Sequence, residues 1–399
     1  MKTLVLSILL VCGLVGIAAA QNGSTLDLYG FVMMDAGYDT KQVDPNWFDV
    51  LRVTKLPSVK NEFGEDGRTF FSVRQTRFGV RTTTPTDLGD LKTQFEWELF
   101  GVGVDAGQTT IRLRHAYGEL GKFGAGQYWS PFMDIDVFPN TLEYWGPSGM
   151  VFFRNIQLRF MPIQGDTRLT IALERPGASG DAGVYADRVE LQGIKARFPV
   201  PDLSAEYRVG RNWGYLEVAG ILRRIQWDDT VPDSLDLSGN VTGWGINVSS
   251  NVKIGSNDIF RGQVVYGEGI ENYMNDAPAD VAIDKVNASS TAPLSVKALP
   301  VTGIVAFLDH TWNERYSTSV GYSMVNIDNT DAQTPTEFHR GHYAIGNLLY
   351  YPAPNVTTGI EFQWGKRENF KANPADGGFK SSDDLKIQAS FKYNFSKTL

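Results

Sequence analysis

The sequence predicts an all-β fold, a 16-stranded antiparallel transmembrane β-barrel with short turns at one end and long loops at the other. Three observations carry this expectation. Residues 385–395 keep a strict period of two: Leu385, Ile387, Ala389, Phe391, Tyr393 and Phe395 alternate with Lys386, Gln388, Ser390, Lys392 and Asn394. Connections between such segments are alternately short and long. The composition fits as well. The 399 residues are 42% hydrophobic and 21% charged, and the mean hydropathy is −0.21. That average excludes a bilayer bundle of helices, which needs runs of about 20 apolar residues. It leaves open a barrel, whose strands average an apolar and a polar face. Outside the first twenty residues, the longest uncharged stretch, 343–360, is broken by Pro352 and Pro354.

Residues 1–20 read as a signal peptide. Lys2 is the positive start, 4–17 the apolar core, and Ala18-Ala19-Ala20 the cleavage pattern before Gln21. Cys12 lies inside the apolar core after Val11, a poor lipoprotein site, and it is the one cysteine of the chain. Export without a disulfide fits a bacterial envelope protein. Residues 21–399 then form a single barrel domain. Losing Lys2 takes the formal charge from −8 to −9.

The alternation recurs along the chain. Leu26, Leu28, Gly30, Val32, Met34 and Ala36 form one parity of the first strand. Leu91, Thr93, Phe95, Trp97 and Leu99 alternate with Lys92, Gln94, Glu96 and Glu98. Val356, Thr358, Ile360, Phe362 and Trp364 form a late example. Tight turns are expected at 84–90, 121–124, 162–167, 211–214, 255–258, 311–315 and 352–354. Long loops are expected at 39–68, 130–150, 174–202, 228–239, 270–300, 328–339 and 366–383, with 101–109 of middle length. A barrel with periplasmic turns and outer loops shows this asymmetry. Counting 188–198 as a strand gives 17. That segment mixes parities (Leu191 against Ile194) between Gly183 and Pro199, so it is placed inside the fourth outer loop, which restores 16. Aromatics such as Tyr38, Trp227, Trp312, Tyr350 and Trp364 fall near strand ends, where interface girdles form. The closing strand resembles the signal read by the barrel-insertion machinery, although Phe395 is followed by Ser396-Lys397-Thr398-Leu399.

Several segments, in order, resemble the DcaP-like family of outer-membrane porins. They are Leu28-Tyr29-Gly30-Phe31, the run from Arg112 through His115 and Tyr117 to Leu120, and Gly126-Gln127-Tyr128-Trp129-Ser130-Pro131-Phe132. Gly243-Trp244-Gly245-Ile246-Asn247, Tyr266-Gly267-Glu268-Gly269-Ile270, Gly365-Lys366-Arg367-Glu368 and Tyr393-Asn394-Phe395 continue the series. The resemblance covers essentially the whole mature chain. It implies a homotrimeric 16-stranded channel for small anions, notably dicarboxylates. Some members carry a coiled-coil extension before the barrel. Only residues 21–25 separate the cleavage site from the first strand here, so none is expected.

A pore needs a constriction and a field. The third outer loop, 130–150, is the candidate constriction and carries Asp134, Asp136 and Glu143. The candidate basic wall comes from residues 69–81, 110–120 and 151–162. These hold seven arginines against Glu119, a net of +6. A charged side chain facing lipid at midplane costs roughly 2–4 kcal/mol, so most must face the lumen. Parity turns Arg77, Arg81, Arg112, Arg114 and Arg159 inward and assigns Arg74 and Arg154 to the rim. Arginine suits an anion path because its fork stays charged and pairs carboxylates bidentately. Glu96 and Glu98, on the lumen face between two basic strands, are expected as acidic partners that brace some of these arginines. The acidic excess falls in outer loops, including Asp228, Asp229, Asp276, Asp280 and Asp284, where it is expected to keep them solvated.

Catalysis is not expected. Of four histidines, parity puts His115 with the apolar side, and no Gly-x-Ser-x-Gly or metal-ligand cluster accompanies any. No cofactor, metal or nucleic acid is expected; the expected partners are outer-membrane lipid, small anionic solutes and further copies of the chain. A general-diffusion or phosphate-preferring porin is the alternative channel. A structural barrel or adhesin is the alternative outside transport, and a lumen packed with apolar side chains would favour it.

Overall fold

In a computed structural model, residues 23–232, 234–287 and 293–399 are described. The signal-peptide expectation for 1–20 lies outside them. Sixteen staves form the barrel: β1 Thr25–Asp39, β2 Arg68–Ser72 continued by Arg77–Thr84, β3 Leu91–Phe100, β4 Thr109–Leu120, β5 Phe123–Trp129, β6 Arg154–Ile163, β7 Thr167–Glu174, β8 Asp202–Arg211, β9 Gly214–Asp229, β10 Gly239–Ile254, β11 Asp258–Glu268, β12 Pro300–Asn313, β13 Tyr316–Ile327, β14 Phe338–Tyr350, β15 Val356–Asn369 and β16 Ser381–Thr398. The two halves of β2 count as one stave because both pair with β1, at Asp35↔Ser72 and at Phe31↔Arg77. Every stave runs antiparallel to its neighbours. The ring shuts where β1 meets β16, in register from Asp27↔Thr398 to Asp39↔Lys386. The residues after Phe395 are therefore mostly seam: Phe395 lies opposite Gly30, and pairing continues through Thr398.

The burial pattern is that of a soluble protein turned inside out. On β16, Leu385, Phe391 and Tyr393 are exposed, whereas Lys386 and Gln388 have no exposed surface. Lipid accepts the apolar parity, and the lumen takes the polar one. Ile194–Arg197 does form a short strand, but it pairs with the top of β9 (Ile194↔Asp229, Arg197↔Gln226) in line above β8. It extends one stave and adds none. Above the rim, Gly180–Asp181, Val281–Val286 and Leu294–Ala298 make a three-stranded sheet that ties the fourth loop to the sixth.

One expectation needs correction. The lumen is not lined by polar parity throughout. From β9 to β14 the inward residues include Ile221, Val265, Val305, Phe307, Val325 and Ile345, all buried. They pack against Phe132, Met133, Val137 and Met150 of the third loop, Leu51 and Val53 of the first, and Ile270 and Tyr273 of the sixth. The third loop (130–153) thus folds into the barrel and seats its apolar side on one half of the wall. The contact is backbone-close. A Cβ on Gly303 would lie 2.2 Å from the Gly149 carbonyl oxygen, and one on Gly149 would lie 2.0 Å from that of Met324.

Gly303→Val is expected to lift the third loop from its seat. Overpacking of this kind costs about 1–3 kcal/mol. A lower heat-unfolding midpoint on gels of graded-temperature samples would show it, and an unchanged midpoint would contradict the seating.

Candidate pore constriction

The inward side chains of β2–β6 carry most of the arginines, and two backbone irregularities set their placement. Residues 73–76 interrupt β2, so Ser72, Arg74 and Gln75 are all buried. Arg74 is not at the rim. It is 1% exposed, pairs with Asp49 of the first loop at 2.6 Å and donates to the Gly101 carbonyl at 2.8 Å. The second irregularity is a bulge between β3 and β4. Glu96 faces His115, Trp97 faces Leu113, and Arg114 is the extra residue. One inserted residue flips the parity beyond it, which corrects the placement of His115. Its side chain is buried on the lumen side, 3.9 Å from Glu96.

Arg114 is the centre of the resulting layer. It reaches Glu96 and Glu98 at 2.7 Å each while 4% exposed. Arg77 stands 3.2 Å from Glu98 and 3.8 Å from Glu96, and Arg112 stands 3.6 Å from Glu98. Tyr144 of the third loop closes the layer by donating to Glu98, and its hydroxyl accepts from Arg114 at 3.2 Å. Glu96 and Glu98 are acidic partners in geometry. They brace Arg77 and Arg114 firmly and hold Arg112 at longer range.

Arg81 and Arg159 are different. Arg81 is exposed and lies 4.2 Å from the Tyr29 ring centre. Arg159 sits near the Tyr117 and Tyr128 rings and donates to Gln157 and to the Trp129 carbonyl. Neither has a carboxylate at ion-pair distance among the described residues. Arg154, assigned to the rim, opens with Arg52 and Arg112 into a cavity of about 450 Å³ walled by Tyr144, Trp145 and Phe153. Around this layer and its cavity seven guanidiniums (Arg52, Arg77, Arg81, Arg112, Arg114, Arg154 and Arg159) stand against four carboxyl groups (Glu96, Glu98, Glu119 and Glu271), and Lys92 pairs with Glu119 at 3.5 Å.

The acidic residues of the third loop do not face this wall. Asp134 and Asp136 turn to the far side, where Arg208 of β8 holds them at 2.6 and 2.5 Å. Asp134 also accepts from Tyr215 and Ser249 at 2.7 Å each. Glu143 is buried against β14 and β15, accepting from the backbone N–H of Leu51 and Gly146 and from the Tyr343 hydroxyl. Glu361 lies beside it and accepts from the Leu142 and Glu143 N–H groups at 2.8 and 3.0 Å. These three acids anchor the loop and do not form an acidic lip opposite the arginines. The outer-loop acids are also less solvated than expected: Asp276 pairs with Arg52 at 2.8 Å, and Asp280 with Arg223 at 2.7 Å, both buried.

Sequence reasoning missed Tyr144, Arg52 and the inward arginines Arg208 and Arg223. Parity would have found the last two, since Arg208 alternates with Tyr207 and Val209, and Arg223 follows outward Leu222. No pattern announces Arg52. Its guanidinium lies between the Trp47 and Trp145 rings, at 4.2 and 4.1 Å.

A closed 16-stranded barrel with an infolded third loop and a charged eyelet defines an outer-membrane porin. The chain belongs to the DcaP outer membrane protein family, whose family model matches residues 15–377. Its fold is similar to the crystal structure of the outer membrane channel DcaP of Acinetobacter baumannii, with 21% identity and a TM-score of 0.76 over 94% of this chain and 99% of that one. It is also similar to OmpT of Vibrio cholerae in its trimer form (12% identity, TM-score 0.55, 93% and 99% covered). An anion-selective porin from Comamonas acidovorans matches at 10% identity with a TM-score of 0.58, over 93% and 100%. No curated protein matches the sequence.

Burial pushes the Glu143 carboxyl up from 4.5 to about 8, with the Glu361 carboxylate adding to the rise and backbone N–H groups opposing it. The seated loop therefore holds this proton more tightly than the released loop does. Its contribution is complete below about pH 4.5 and declines as the pH rises towards 8. Heat-unfolding midpoints compared across pH 5–9 should show a downward slope that Glu143→Gln flattens; parallel slopes would contradict it.

Proposed function

We propose that the protein is a water-filled, anion-preferring channel for passive diffusion of small negatively charged solutes such as dicarboxylates. The observation that carries this reading is the uneven charge of the eyelet. Arg77 and Arg114 are neutralised by Glu96 and Glu98. Arg81, Arg154 and Arg159 have no such partner among the described residues, and Arg112 has only a distant one. A surplus of fixed cations in a narrow aqueous path raises the local anion concentration. Arg81 and Arg159 are the selectivity residues of this reading, Arg112 contributes in part, and Arg77 and Arg114 brace the wall. The constriction is formed by Tyr144, while Asp134, Asp136 and Glu143 position the loop that carries it. The activity is transport without chemistry. Export by residues 1–20, insertion guided by β16 and assembly as a homotrimer complete the proposal; the trimer form of the Vibrio cholerae relative supports the last.

The apolar core inside the lumen favours a second reading, a structural barrel without conductance. Planar bilayers separate the two. A reversal potential under a KCl gradient should show anion preference, and Arg81→Ala with Arg159→Ala should bring the chloride-to-potassium permeability ratio several-fold closer to one. Cation preference in the native protein would overturn the selectivity assignment, and absence of conductance would support the structural barrel.

A further inference from the structure

We propose that the outer surface of β7–β9, at the loop end, binds the phosphorylated headgroup of an anionic outer-leaflet lipid. The placement follows from register. Arg175 continues β7, and its N–H donates to the Ile156 carbonyl at 2.8 Å, which sets it opposite an outward, exposed residue. The pairs Glu174↔Asp202 and Leu203↔Leu222 put Arg175, Pro201 and Arg224 in one row across three staves. Arg175 and Arg224 are then two strand spacings apart, about 10 Å. Pro201 between them has a short side chain and leaves a dip. In the next outward row Arg197 pairs with Gln226, and above it Lys195 pairs with Asp228.

All four cations are exposed and on the outward parity. Arg197 contacts Asp228 at 2.6 Å while half-exposed. Among the described residues, Arg175, Lys195 and Arg224 have no carboxylate at ion-pair distance. Four cations against one carboxylate is therefore the charge of a patch that faces away from the pore. The row below is purely apolar: Leu173, Leu203, Leu222 and Trp244 are all exposed towards the membrane. Two residues of strand separate the rows, about 7 Å. Cations standing directly above an acyl-facing leucine row match an amphiphile with phosphate above its chains. Guanidiniums are well suited to phosphate oxygens because their donors are planar and forked. Lipid recognition by clustered basic residues at a headgroup plane follows the same electrostatics.

The test uses the full chain in phosphatidylcholine nanodiscs with added bis-phosphorylated glycolipid of the lipid A type, and with the same glycolipid dephosphorylated. The native protein should co-purify with at least tenfold more of the phosphorylated form. Arg175→Ala with Arg224→Ala should abolish that excess, whereas Arg175→Lys with Arg224→Lys should keep most of it. Both variants leave the eyelet intact, so native conductance and heat-modifiable mobility report that they have folded. Equal retention of the two glycolipids, or unchanged retention by the alanine variant, would overturn the proposal. Displacement by millimolar inorganic phosphate would overturn the lipid as source and point to a free-anion site. Loss of the oligomer in the alanine variant, with lipid retention unchanged, would instead make the patch a subunit contact.

Discussion

Everything in this structure depends on one constraint: backbone amides in hydrocarbon must find partners in the chain itself. The β1–β16 seam satisfies it for the whole ring, with thirteen residue pairs joining the two ends of the sequence. Closure fixes which parity meets lipid on every stave and leaves the lumen as the only membrane-level space for charge. Gly30 shows how tight the seam is. A Cβ there would lie 2.3 Å from the Arg77 carbonyl oxygen and 2.8 Å from the Phe395 ring.

The enclosed space is then divided by chemistry. Along β9–β14 the inward residues are apolar enough to bind the third loop as a hydrophobic core, with the first and sixth loops completing it. Along β2–β6 they are arginines, glutamates and tyrosines. Asp134 on Arg208 and Glu143 against β14 and β15 hold the loop from its far side. Tyr144 alone of the loop reaches the Glu98–Arg114 layer. The Tyr144 contact and the cationic surplus thus share one side of the barrel. That arrangement leaves a partly filled lumen with its unpaired positive charge on one side of the wall.

The barrel class, stave count and loop asymmetry were legible because period-two alternation is a local property of the chain. So was the inward aim of Arg77, Arg81, Arg112 and Arg159. Parity failed where the ladder carries an irregularity, at the 73–76 interruption beside Arg74 and at the Arg114 bulge before His115, since a single unpaired residue reverses every later assignment. The partners of Asp134, Asp136 and Glu143 were not legible at all. They are fixed by where a long loop lands in three dimensions, and Gly149 against Gly303 decides that through contacts more than 150 residues apart in sequence.

The Arg52 clasp has a mechanical consequence. Its guanidinium lies between Trp47 of the first loop and Trp145 of the third, and its charge rests on Asp276 of the sixth. Three independent hairpins are pinned at one point, so none can swing without breaking the same joint. Displacing any one of the three strains its contacts with the other two at that joint. The first, third and sixth loops are thereby coupled into one mechanical unit rather than three separate flaps.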